Sequence, residues 1–119
     1  MIKQKSKIHG LGIFADRQIT EGEEFYKIPI DIIFFHNTPG AAHIGDGLYV
    51  FDEKVLKWVN HSCEPNSAID LGKTVLYALR EIASGEEITV DYDKTEAEGD
   101  KIPCNCGSRL CRGYFTGLA

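Results

Sequence analysis

Short apolar runs, broken every few residues by glycine, proline or charge, make up most of this chain. No apolar stretch keeps a helical period for long. β-Branched and aromatic residues crowd four segments of strand length: Phe25 to Ile28, Asp31 to His36, Thr74 to Leu79 and Glu87 to Tyr92. Pro29 separates the first two and marks an edge or a bend. One helix is predicted over Asp52 to Val59, with Asp52 as N-cap and Val55, Leu56 and Val59 at helical spacing. Asn37 to Gly47 holds three glycines and a proline and reads as a loop, and the polar, acidic Asp93 to Lys101 reads as a mobile connection. The pattern predicts a mostly β domain of many short strands with little helix.

The chain also repeats itself once. Ile13 to Phe25 aligns with Leu76 to Ile88 at an offset of 63 positions, through Ala15/Ala78, Arg17/Arg80, Ile19/Ile82 and Gly22-Glu23/Gly85-Glu86. Each copy reads as a strand, a turn whose glycine takes positive φ, and a second strand. Two copies are too few for a solenoid. They predict two similar β-hairpin-like pieces in one compact fold.

At 119 residues the chain is one domain. A chain of this size buries only about two-thirds of its unfolded surface, so a metal staple is a reasonable supplement. It opens with no charged segment followed by an apolar run, and no apolar run approaches bilayer length. A soluble protein of a reducing compartment is therefore expected, where structural disulfides are uncommon. The formal net charge of −5 excludes a generic DNA-coating protein, and no direct nucleic acid or membrane binding is expected. It suits a basic partner such as a lysine-rich peptide, although mild acidity is ordinary in soluble proteins.

Chemistry concentrates in two places. One is the run Val59-Asn60-His61-Ser62-Cys63-Glu64-Pro65-Asn66; the other is Cys104-Asn105-Cys106, followed after four residues by Cys111-Arg112-Gly113. Cys104 and Cys106 are too close in sequence for an unstrained mutual disulfide. Two disulfides pairing Cys63 and Cys111 with them remain possible, as do free buried thiols. The arrangement favours zinc on Cys63, Cys104, Cys106 and Cys111, at about 2.3 Å per bond. Four protein ligands leave no open coordination position, so such a zinc is structural. It would tie the C-terminal tail to the Asn-His-Ser-Cys segment, with Lys101, Arg109 and Arg112 placed to offset the tetrathiolate's charge. Near the start, His9-Gly10-Leu11-Gly12 contains a Gly-x-Gly that lacks the further residues of a dinucleotide or phosphate loop. Alone it fits a tight turn at least as well as a close backbone approach to a ligand.

In this order, the pieces resemble the SET-domain protein lysine methyltransferases. The resemblance rests on Lys7 to Ala15, Tyr49-Val50-Phe51-Asp52, Trp58 to Asn66, Ala78 to Ile82, Gly85 to Tyr92, and the post-SET pattern Cys104-x-Cys106-x4-Cys111-Arg112-Gly113. It implies a β-clip-like fold of small curved sheets with a knot-like C-terminal substructure. Residues 1–93 then form the SET domain and 94–119 a post-SET zinc-binding tail. It implies S-adenosylmethionine as methyl donor, bound by the backbone of His9, Gly10, Leu11 and Gly12 and by Asn60 and His61. Outside that context Asn60 reads as a turn-capping amide and His61 as a core histidine.

The resemblance places Tyr92 as the catalytic tyrosine, with Tyr49 and Phe115 lining the lysine channel. Methyl transfer to lysine needs the neutral amine, whose free pKa is about 10.4. Burial beside a cationic sulfonium lowers that value, so no strong side-chain base is required and Glu86, Glu87 and Asp91 need not be catalytic. The family often carries Tyr or Phe two residues before the tyrosine; Val90 there leaves room for di- or trimethylation. The implied substrate is a basic protein, histone-like or otherwise, and the implied location cytoplasmic, or nuclear (including a host nucleus) if histones are the target. Two other readings stay open: a catalytically inactive zinc-stapled interaction module, and methyl transfer to a small molecule.

Overall fold

The computed structural model describes residues 1–36, 41–45, 47–70, 72–91, 100–104 and 106–117. Its strands are β1 (Ile2–Lys5), β2 (Leu11–Phe14), β3 (Glu24–Lys27), β4 (Ile33–Phe34), β5 (Ala41–Gly45), β6 (Leu48–Phe51), β7 (Asn60–His61), β8 (Ser67–Asp70), β9 (Val75–Ala78), β10 (Glu87–Val90), β11 (Asp100–Pro103) and β12 (Tyr114–Gly117). They form four small sheets, ordered β1-β2-β10-β7, β3-β9-β8, β4-β6-β5 and β11-β12. Neighbours are antiparallel except β10 and β7, which run parallel with Thr89 opposite Asn60 and Val90 opposite His61. The mostly β expectation holds.

Three local expectations change. The strand expected over Asp31 to His36 shortens to β4, which among the described residues is an edge strand paired with β6. The loop expected over Asn37 to Gly47 contains β5, because the stretch from Ala41 pairs with β6 around a turn at Gly47, whose φ is +71°. Asp100 and Lys101, expected in a connection, begin β11, while residues 93–99 of that connection lie outside the described residues.

The helix expected over Asp52 to Val59 is a single 3-10 turn, Leu56–Trp58. Asp52 still organises it: its buried carboxylate accepts the Lys54 and Leu56 N–H groups, each at 3.2 Å, and the Tyr26 hydroxyl at 2.6 Å. Burial, reinforced by Asp52, pushes the Tyr26 hydroxyl well above its ordinary pKa. The turn cannot lengthen, because Val59 is already extended and leads directly into β7.

The internal repeat is real, but its copies are not hairpins. The two strands of each copy part, and each pairs with the other copy: β2 with β10, β3 with β9. Ala15 N–H donates to Glu86 O at 2.9 Å and Ala78 N–H to Glu23 O at 3.0 Å. Gly85 N–H donates to Ala15 O at 2.7 Å and Gly22 N–H to Ala78 O at 2.8 Å. Ile19 and Ile82 face each other across a reciprocal bridge of 2.8 and 2.9 Å. In each copy an arginine pairs with the glutamate after the turn, Arg17 with Glu23 and Arg80 with Glu86. The result is two interlocked units about a local two-fold axis.

Around that axis Ile13, Ile19, Leu76, Ile82 and Ile88 are buried, and Val50 and Val59 close the same core. Each such side chain contributes about 1.5–3 kcal/mol by leaving water. The core thus lies directly beneath β10 and β7, which carry the polar residues described next.

Candidate active site and metal centre

Asn60 starts β7 and its side chain points into a ring of oxygens. Its Nδ2 lies 3.0 Å from His9 O, 3.2 Å from Leu11 O, 3.1 Å from Ser6 Oγ and 2.9 Å from Glu87 Oε2. An amide nitrogen carries two protons, so these acceptors share them and the N-terminal loop is clamped to β7 and β10 together. Ser6 closes the loop from inside: its hydroxyl donates to the Glu87 carboxylate at 2.8 Å and accepts the Ile8 N–H at 2.9 Å. Its own N–H donates to Gly10 O at 2.8 Å.

Both glycines of the loop are explained. Gly10 has φ +46°, and a Cβ there would meet nothing within 4 Å, so the backbone stands open on that side. A Cβ on Gly12 would lie 2.3 Å from Glu87 Oε2 and 3.1 Å from the Ser6 Cβ. Gly12 therefore makes room for the Glu87 carboxylate. The carbonyls of His9, Gly10 and Leu11 are taken by Asn60 and Ser6, so the loop is held from inside while its backbone at Gly10 stays open for a close approach.

At the end of the same motif, Asn66 fastens the Asn-His-Ser-Cys segment to β10. Its Nδ2 donates to Glu87 O at 2.7 Å and its Oδ1 accepts the Thr89 N–H at 3.0 Å. His61, buried on β7, has Nε2 at 3.4 Å from Cys63 Sγ and Nδ1 at 3.7 Å from Asp91 Oδ1.

The four cysteines converge. The Sγ atoms of Cys63, Cys104, Cys106 and Cys111 all lie within 4.8 Å of one another, with Cys63 and Cys104 3.9 Å apart, and none is joined in a disulfide. Tetrahedral zinc with bonds of about 2.3 Å places its sulfurs about 3.8 Å apart, so the cluster fits that ion. Burial pushes the Cys104 thiol up to about 12. At Cys106 burial is outweighed by the Cys63 and Ser108 backbone N–H groups and the Cys104 and Cys111 thiols, which pull it down to about 6. Further N–H groups already point at the sulfurs, Arg112 N–H at Cys63 Sγ (3.3 Å) and Gly113 N–H at Cys111 Sγ (3.4 Å). Donors of this kind stabilise thiolates.

Of the charges expected to offset the thiolates, the Arg112 guanidinium is directed elsewhere. It grips Asp91 with Nη1–Oδ2 at 3.2 Å and Nη2–Oδ1 at 2.9 Å, and Nη2 lies 3.5 Å from His61 Nε2. Arg109 is exposed, and the Lys101 side chain lies outside the description.

Of the other candidates, Tyr49 is buried on β6 and Val90 is buried on β10, in a different sheet. Phe115 falls in β12 opposite Ile102, its side chain outside the description, and Tyr92 lies outside the described residues. Sequence reasoning missed Ser6 as a loop clamp and Glu87 as its anchor. The available signal was Glu87 itself, a carboxylate on a strand whose neighbours are core. It also missed the Asp91–Arg112 pair, signalled only by an acid set beside Val90 at the end of an apolar strand.

Comparison with known proteins shows the family and the fold. The SET domain family matches residues 10–93. Histone-lysine N-methyltransferase trithorax of Drosophila virilis is 34% identical over 93% of this chain, and the H3 lysine-4 specific histone-lysine N-methyltransferase of Schizosaccharomyces pombe is 36% identical over 92%. The chain spans only 3% and 14% of the length of these two relatives. The crystal structure of KRYPTONITE in complex with mCHG DNA and SAH superposes with a TM-score of 0.68 at 22% identity, covering 92% of this chain and 27% of that one. With the family match over residues 10–93 and these relatives, the chain belongs to the SET domain family.

Proposed function

We propose that this chain transfers a methyl group from S-adenosylmethionine to the side-chain amine of lysine in a basic protein, with histones as the leading substrate class. The observation that carries the reading is the Asn60 cluster, which joins the Gly-x-Gly loop to β7 and β10 within a SET domain. The names of the two relatives support the histone substrate, and the SAH held by KRYPTONITE supports the donor. Action on histones would place the protein in a nucleus. No described helix is long and apolar enough to cross a membrane.

When bound, S-adenosylmethionine supplies a methyl group on a sulfonium, ready for in-line displacement. The chain's residues supply position. The backbone of His9 to Gly12, with Asn60 and His61, holds the donor. Tyr92 orients the lysine lone pair through its hydroxyl, and Tyr49, Val90 and Phe115 line the channel. No side chain is needed as base, since an apolar channel beside a cation favours the neutral amine. The nearby carboxylates are in any case engaged: Glu86 with Arg80, Asp91 with Arg112, Glu87 with Ser6 and Asn60. Alignment then accounts for much of the rate. In this reading residues 1–93 are the catalytic domain and 94–119 a tail stapled to it by zinc.

Labelled methyl transfer to core histones by the zinc-loaded chain, compared with Tyr92→Phe, tests the proposal. Labelling of a histone band that the substitution abolishes is expected. Labelling unchanged by the substitution, or none in a folded, zinc-loaded chain, overturns it.

A further inference from the structure

We infer that Arg112 is a positioning residue that transmits the order of the cysteine cluster to the reacting strand, by locking Asp91, the residue before Tyr92, against His61. The inference deepens the methyltransferase reading and rests on it. Three segments distant in sequence meet at this guanidinium: the end of β10 through Asp91, β7 through His61, and the tail through Arg112 itself. The contact to Asp91 is two-pronged, at 3.2 and 2.9 Å, and His61 Nε2 lies 3.5 Å from the same guanidinium. The Arg112 backbone is fixed at the same time, because its N–H donates to Cys63 Sγ at 3.3 Å and the preceding residue is the ligand candidate Cys111.

Exposure argues for a positioning role. The Asp91 side chain is 6% exposed and that of Arg112 40%. Burying a carboxylate to pair it with a half-exposed guanidinium is a poor route to stability, since desolvation offsets much of the attraction. What the pair does supply is geometry, because a planar fork on a carboxylate fixes both distance and orientation. Asp91 directly precedes Tyr92 in sequence, so fixing its carboxylate fixes the end of the strand from which the chain continues to that residue. A metal that draws the four sulfurs together also fixes Cys111, and through it Arg112. The cysteine cluster can thus influence the reaction without touching substrate.

The test uses the full zinc-loaded chain and the variants Arg112→Gln, Arg112→Lys and Asp91→Asn, with zinc content, S-adenosylmethionine affinity by calorimetry, and kcat and KM on core histones. Arg112→Gln and Asp91→Asn should keep one zinc per chain and bind the donor within about threefold of wild type. They should lose about 10–100-fold in kcat, the scale of a small misplacement of reacting groups. Arg112→Lys, which keeps the charge but not the fork, should recover only part, and the double variant should be no worse than the poorer single one. A kcat within about twofold of wild type with zinc intact overturns the inference, as does loss of zinc together with activity, which would make Arg112 merely part of the metal site. Nitrogen-15 spectra of the guanidinium separate this from failure of the methyltransferase reading. The lock predicts resolved, slowly exchanging Arg112 Nη signals that average in Asp91→Asn; averaged signals in wild type would remove the lock whether or not the chain is active.

Discussion

At the scale of single residues, the site is decided by what Gly12 leaves room for. The Gly-x-Gly was legible as a motif, but either a turn or a ligand cradle satisfied it. Nothing in the sequence shows that the Glu87 carboxylate comes to fill the space beside Gly12, because the two are brought together only by the pairing of β2 with β10. Gly12→Ala should displace that carboxylate and cost about 1–3 kcal/mol, the usual range for overpacking. In a Glu87→Ala background most of that cost should vanish, and thermal melts of the four chains in the cycle would check it. A full cost in both backgrounds would mean the alanine clashes with something other than Glu87. Val90 makes a second prediction at this scale. Wild type should give di- or trimethyl product at long reaction times, and Val90→Phe should shift the product toward monomethyl, as read by peptide mass. Accumulation of monomethyl product alone by wild type would show that neighbouring side chains fill the space.

At the scale of elements, the repeat was legible as sequence, but its pairing was not. Local pattern shows two strands and a glycine turn. Whether those strands pair with each other or with a second copy depends on contacts about 63 positions away. The helix over Asp52 to Val59 failed for a related reason: the residue preceding the short turn is Val55 rather than the expected cap Asp52, whose carboxylate is shared with Tyr26 in the core, and the strand at Asn60 begins too soon for a second turn. The paired arginine–glutamate clips give a pH prediction. Hydrogen bonding from Arg80 first, then the Ala83 N–H and Asn66, holds the Glu86 carboxyl below its ordinary 4.5, against the opposing effect of burial. A lowered folded-state pKa contributes stability that is present above about pH 4.5 and is lost as pH falls through the folded value. Glu86→Gln should therefore be less stable than wild type at neutral pH, with the difference shrinking below about pH 4.5 in urea titrations. The equivalent Glu23 clip is about as exposed as the Glu86 one, and Arg17 with the Thr20 N–H likewise holds its carboxyl below the ordinary value, so Glu23→Gln should show a pH-dependent difference of the same direction.

At the scale of the whole molecule, the described residues form four small sheets within 35 × 29 × 22 Å, joined at the candidate-site end by side chains and by the cysteine cluster. The cluster was the most legible part of the chain, since ligand spacing is local for three of its cysteines and Cys63 lies in a recognisable motif. Which charge approaches it was not legible, because only the folded chain brings Asp91 within reach of Arg112. Chelation of zinc should release residues 104–113 and lower the melting temperature by several degrees, about what a loss of 1–2 kcal/mol produces in a domain of this size. Restoring zinc should reverse the change, and melts with and without a chelator would record both.

The central claim is that the Gly-x-Gly loop clamped by Asn60 forms the donor site. Calorimetric titration of S-adenosylmethionine into the folded, zinc-loaded chain tests it most directly, beside Asn60→Ala. The account predicts one site per chain and an affinity at least about tenfold weaker in the variant, the scale expected when a buried hydrogen-bonding group is lost. Absence of binding, or binding of equal strength to both chains, would contradict it.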